Sequence, residues 1–247
     1  GIEPKQEHFE LYHKLAAHAL SINRQETAQM GIKPLMEARD FLFAIVAETT
    51  QKRMSQAGDF MKLFQAVHWS ILKERAAKDG LKELEALISI ALLREAGPLA
   101  FDKAFCDAGE KCEKMGWTQL AYAFYNRFID IIEAIDDDDA SMLDNADFED
   151  VLPSPYNMPM PPRGKYVDSE TEEEIREKVL AWAMDDALEQ DDALEQVQEK
   201  LGFADNIASD IKKRTNKWIS KYVKGKPADW NDNESMQQLQ RILRMGQ

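Results

Sequence analysis

Residues 101 to 135 read FDKAFCDAGEKCEKMGWTQLAYAFYNRFIDIIEAI, and this stretch decides the fold. Its apolar residues recur three and four apart, the spacing of one helix face, and Gly116 divides it into two such segments. Two helices joined by so short a turn must lie antiparallel. Counting from Asp102 as first, Phe105 stands fourth, Ala108 and Gly109 seventh and eighth, and Cys112 eleventh. Ala121, Tyr125 and Phe128 follow at the twentieth, twenty-fourth and twenty-seventh places.

A bulky residue early, a glycine at the close crossing, an alanine on the second helix and an aromatic one turn later is the tetratricopeptide pattern, here without its final proline. These seven residues are the predicted packing positions of the hairpin. Working back toward the start, helical spacing continues with glycine or proline at each break, and predicts helices near 5–28, 34–57, 59–78, 80–96, 99–115 and 117–135. The expected fold class is therefore all-α, an antiparallel helical repeat or α-solenoid over residues 1–135.

Forward of residue 135 the pattern fails. Asp136, Asp137, Asp138 and Asp139 precede Asp144, Asp147, Glu149 and Asp150, and then five prolines between Pro153 and Pro162. Such a segment buries too little apolar surface to offset its ordering entropy, so 136–168 is an expected linker, ordered where Leu143, Phe148 or Tyr156 docks. The third section, 169–247, reads as a small helical module. It opens on Asp168 and Ser169 with acids in the first turn, carries a tandem DDALEQ at 185–196, restarts after Gly202 near Asp205, and closes on a helix from Ser235 to Met245.

The net charge of −14 is unevenly spread: residues 1–135 carry −2, 136–199 carry −17, and 200–247 carry +5. So acidic a chain has no general attraction for nucleic acid. Its positive end concentrates in Lys213, Lys217, Lys221 and Lys224, which share one helix side. With Asp136, Asp137, Asp138 and Asp139 they are the candidate electrostatic contacts for partners.

Constellations with catalytic meaning are absent. Cys106 and Cys112 fall on different faces of one helix and have too few neighbouring ligands for zinc, so they read as buried thiols. His8, His13 and His18 scatter around a helix, and His68 beside Trp69 reads as a packed residue. The aspartate run lacks the glycine and ligand positions of a calcium loop. No phosphate loop, dinucleotide fingerprint or nucleophile elbow occurs. The longest apolar run, Phe41 to Ala47, is far below the roughly 20 residues that span a bilayer. No secretory leader opens the chain, so an intracellular location is expected, with no cofactor or metal.

The run DKAFCDAGEKCEKMGWTQLAYAFYNRFIDIIEAI, followed by LDNADFED and a proline-containing spacer, resembles the C-terminal region of the intraflagellar transport protein 172 family. EEIREKVLAWAMDDALEQ and DFMKLFQAVHWSILKERAAKDGLKELEALISIALLRE are similar to flanking helices of that family, and together they cover about 59–190. The resemblance implies a non-catalytic scaffold, a peripheral subunit of intraflagellar transport complex B that binds other transport subunits through tetratricopeptide-like helices in the cytoplasm, the cilium or flagellum and its base. It also implies a small terminal domain resembling a U-box and linked to ubiquitin. Residues 197–247 read as helix without a strand, so no ubiquitin residue transfers. A ubiquitin-binding or ligase-like module, and a tetratricopeptide adaptor outside cilia, are the alternative expectations.

Overall fold

The computed structural model describes residues 11, 32–55, 57–94, 101–139, 143, 165–185, 193–223 and 230–246. Among these residues the chain is all-α, as its periodicity predicts. It forms α1 Lys33–Gln51, α2 Ala57–Lys78, α3 Lys82–Leu92, α4 Phe101–Lys114, α5 Thr118–Asp137, α6 Ser169–Ala183, α7 Ala193–Val223 and α8 Asp232–Met245, with no strand. The helix expected at 5–28 lies outside the described residues except for Leu11.

Helix ends follow local chemistry. Pro34 sits in the first turn of α1, where its missing N–H removes no helical bond. That helix stops at Gln51, short of the expected residue 57, because Arg53 turns left-handed at φ 51° and the Met54 N–H returns to the Thr49 carbonyl at 2.9 Å. No glycine marks this stop. The turn after α4 does carry one: Gly116 at φ 74° lets the Trp117 N–H reach the Cys112 carbonyl at 2.9 Å, the closing bond of a glycine-ended helix.

The largest departure from the sequence reading is in the tail. A break was expected at Gly202, yet α7 runs unbroken from Ala193 to Val223. One mid-helix glycine costs only about 1 kcal/mol relative to alanine. On α7 an apolar stripe continues past it through Val197, Leu201, Ala204, Ile207, Ala208 and Ile211, all buried.

Two compact units result, one of Gly1–Leu84 with Asp205–Gln247 and one of Glu85–Ala204. Their borders fall inside α3 and α7, whereas the composition-based division falls at 135 and 168. In the first unit α1 packs on α2 and α8 touches α2. The middle of α2 is buried on most sides, including Phe60, Phe64, Val67, Trp69 and Ile71, and its Ser70 hydroxyl donates to the Ala66 carbonyl at 2.7 Å. In the second unit α4 and α5 form the main hairpin, and α6 packs on α5.

Candidate functional site

The α4–α5 hairpin holds all seven predicted packing residues. Phe105, Ala108, Cys112, Ala121, Tyr125 and Phe128 are at most 1% exposed, and Gly109 is buried among them. The reason for glycine at 109 is steric. A Cβ built there would lie 2.5 Å from Cδ1 and Cε1 of Tyr125, so the ring packs closely against the bare backbone of α4.

Tyr125 is also polar. Its hydroxyl donates to Glu113 Oε2 at 2.8 Å, and Lys178 of α6 donates to the same oxygen at 2.8 Å. The Lys178 ammonium lies 5.4 Å from the Tyr125 ring centre, and Trp182 stands 6.0 Å from that ring. Burial, with the Glu113 hydrogen bond and charge added, holds the Tyr125 phenol above its ordinary range. One buried aromatic thus joins three helices. Further along, Arg176 of α6 pairs with Glu133 of α5 at 2.9 Å.

The return of the chain to this hairpin is fixed by Asp102. Its Oδ2 accepts the backbone N–H of Tyr166 at 2.6 Å and of Val167 at 2.9 Å, while the residue itself is fully buried. Burial raises the carboxyl pKa, and the backbone donors oppose that shift. One residue later Asp168 caps α6 by accepting the Thr171 N–H at 2.8 Å. Lys165 pairs with Asp136 in the last turn of α5, where a helix end disfavours unneutralised acid. The Leu143 carbonyl accepts from buried Arg127 at 2.7 Å. Leu143 is itself buried, whereas Phe148 and Tyr156 lie outside the described residues.

In the first unit lies a charge cluster that the sequence reading missed. Arg39 of α1, 1% exposed, donates from both terminal nitrogens to the two carboxylate oxygens of Asp232, at 2.9 and 3.1 Å. Its guanidinium lies 4.6 Å from the Trp230 ring centre, and Arg75 approaches Asp232 at 3.5 Å. His68 is buried beside them, stacked on Phe64 and met edge-on by Trp218. Its Nδ1 stands 3.2 Å from Arg39 Nη1. Since arginine only donates, that nitrogen accepts. Burial, then the Arg39 charge, pushes the His68 pKa down to about 3, so the ring is neutral.

A signal for this cluster was present. Arg39 occupies the stripe of Leu35, Leu42 and Val46, and Asp232 that of Met236 and Leu239. Each is the charge in an otherwise apolar row, which is how a buried ion pair reads before its partner is known.

The remaining candidates are dispersed. Asp136, Asp137, Asp138 and Asp139 are exposed at the end of α5. Lys213, Lys217 and Lys221 are exposed along α7, and Lys224 lies outside the described residues. Cys106 and Cys112 are free and buried, and burial raises both thiol pKa values. Among the described residues no group of three or more His, Cys, Asp or Glu could hold a metal, and no helix is long and apolar enough to cross a membrane.

No family model matches the chain. Curated relatives do: the intraflagellar transport protein 172 homolog of Danio rerio is 29% identical over 194 residues, covering 77% of this chain and 11% of that protein. Intraflagellar transport protein 172 of Chlamydomonas reinhardtii is 30% identical over 202 residues, 78% of this chain and 11% of that protein. The Homo sapiens homolog is 29% identical over 196 residues, with 77% and 11% covered. The chain spans about a tenth of the length of these relatives. Along some three-quarters of its own length, the chain is a relative of intraflagellar transport protein 172.

Proposed function

We propose that this chain is a non-catalytic scaffold segment acting in intraflagellar transport, in the cilium or flagellum and at its base, where its helical hairpins bind neighbouring transport subunits. The observation that carries the proposal is the similarity to intraflagellar transport proteins from an alga and from vertebrates. The hairpin chemistry supports the reading: buried groups such as Tyr125, Cys112 and Asp102 are consumed by packing or backbone bonds, leaving exposed helix surfaces to meet partners. Leu180 of α6 and its C-cap residue Met184, 63% and 81% exposed, stand one turn apart as apolar contacts, and Asp136 to Asp139 provide secondary electrostatic ones.

The test expresses the full chain with a tag in ciliated cells, identifies co-purifying proteins by mass spectrometry and follows its location by fluorescence. Enrichment of other intraflagellar transport proteins, reduced by Leu180→Asp with Met184→Asp, is the expected result. If the unaltered chain enriches no transport protein over a tag control, the proposal fails.

A further inference from the structure

We propose that the lysine face of α7 is a docking surface for an acidic helix of a partner protein. Lys213, Lys217 and Lys221 follow one another at four-residue steps, so they lie within an arc of about 80° and rise about 6 Å per step. All three are exposed. Among the described residues none of the three has an ion-pair partner, whereas Lys52, Lys114, Lys165 and Lys178 pair with Glu48, Glu110, Asp136 and Glu113. The described residues three or four places from these lysines along α7 are Ser209, Asp210, Arg214, Asn216, Trp218, Ser220 and the lysines themselves. The one acid within a turn, Asp210, is bound by Arg214 at 3.0 Å.

Helix stability does not account for this arrangement. Like charges four apart weaken a helix. A contact with the negative end of the helix explains Lys221, in the last turn of α7, but not Lys213, because the dipole effect fades beyond that turn. Opposite charge on a partner does account for it. A helix carrying carboxylates at four-residue steps presents them at the same rise as the lysines, and the intervening Ser and Asn side chains can complete the contact with hydrogen bonds.

The size of the partner follows from the net charge of −14. Screening falls off over about 8 Å at physiological ionic strength, so a short acidic helix meets the stripe without meeting the rest of this acidic chain. A membrane surface or a nucleic-acid strand is an extended polyanion and brings more of that negative charge into range. The inference rests on α7 alone and stands whether or not the transport reading holds.

The experiment uses the full chain and a fluorescent Ala/Gln-based helical peptide with glutamates at four-residue steps, read by anisotropy at low salt. Saturable binding is expected, with an affinity loss of about ten-fold for K213Q/K217Q/K221Q, given the modest strength of each exposed pair, and a comparable loss at high salt. The reversed variant K213E/K217E/K221E should instead bind the lysine version of the peptide, which separates a charge contact from damage to the helix. Equal affinity of the unaltered chain and the glutamine variant for the acidic peptide overturns the proposal. Tighter binding of phosphatidylserine vesicles or of a single-stranded oligonucleotide than of the peptide overturns it as well.

Discussion

Replacing Gly109 by alanine sets two effects of opposite sign against each other. In a helix interior alanine is favoured over glycine by about 1 kcal/mol, so propensity alone makes the variant more stable. The added Cβ, however, would fall 2.5 Å from two carbons of the Tyr125 ring. Carbon atoms rest at about 3.5–4.0 Å, so the ring must retreat by about 1 Å. It has little freedom to do so, being 1% exposed, hydrogen-bonded to Glu113 at 2.8 Å and faced by Trp182. Overpacking costs about 1–3 kcal/mol, and loosening a hydrogen bond to a carboxylate adds about 1.5–3 kcal/mol. After the propensity gain the expected net loss is about 1.5–5 kcal/mol, a fall in Tm of roughly 3–20 °C. Urea unfolding followed by far-ultraviolet circular dichroism measures it, with Tyr125→Leu as the second background. There the clash is gone, and Gly109→Ala should stabilise by up to about 1 kcal/mol. A Gly109→Ala protein as stable as the unaltered chain, or an equal penalty in both backgrounds, refutes the close-packing argument.

Two further outcomes are expected. His68 has a folded pKa of about 3 against an ordinary 6.5, so between those values the unfolded chain binds more protons and stability falls as pH falls. The slope reaches about 1.4 kcal/mol per pH unit. His68→Asn, which keeps an acceptor near the Nδ1 position for Arg39, should flatten this part of the profile in urea midpoints measured from pH 7 to pH 4; superimposable profiles count against the buried neutral imidazole. Asp102→Ala removes the acceptor for two backbone amides, so hydrogen exchange at Tyr166 and Val167 should speed up by at least about ten-fold, and unchanged exchange at both sinks the hook assignment.

The all-α class was legible in residues 101–135 because it rests on local signals: period, a stop glycine, and alternating small and large residues. The repeat pattern places Gly109 at the close crossing, whereas its contact with Tyr125 is seen only in the structure. Helix ends without a glycine were not legible. Arg53 and Asp138 both adopt positive φ, which sequence reading assigns to glycine first. Gly202 is the opposite case: glycine locally disfavours a helix, and the buried apolar face of α7 outweighs that cost. The Asp102 hook also escaped notice, since its partners are backbone N–H groups more than sixty residues away, and a backbone donor leaves no mark in the residue type.

The charge cluster shows the limit most clearly, and it changes how the tail is read. By composition, residues after 168 form a separate module beyond an acidic linker. Yet Asp232 neutralises Arg39 across a sequence separation of 193, Trp230 donates to Asp40 at 3.0 Å, and Arg75 donates to Asn233 at 3.2 Å. A buried arginine stripped of its carboxylate is destabilising by about 3–5 kcal/mol, a large share of the stability of a typical domain. The segment from Trp230 through α8 is therefore a structural requirement of the unit containing α1 and α2. Few apolar residues of α8 are deeply buried, chiefly Met236 and Leu239, so the segment is held as much by charge and by the Trp230 ring as by hydrophobic area. That balance also explains why a net-charge count along the chain could not place it: the positive end of the sequence contributes its acid, and the near-neutral start contributes its base.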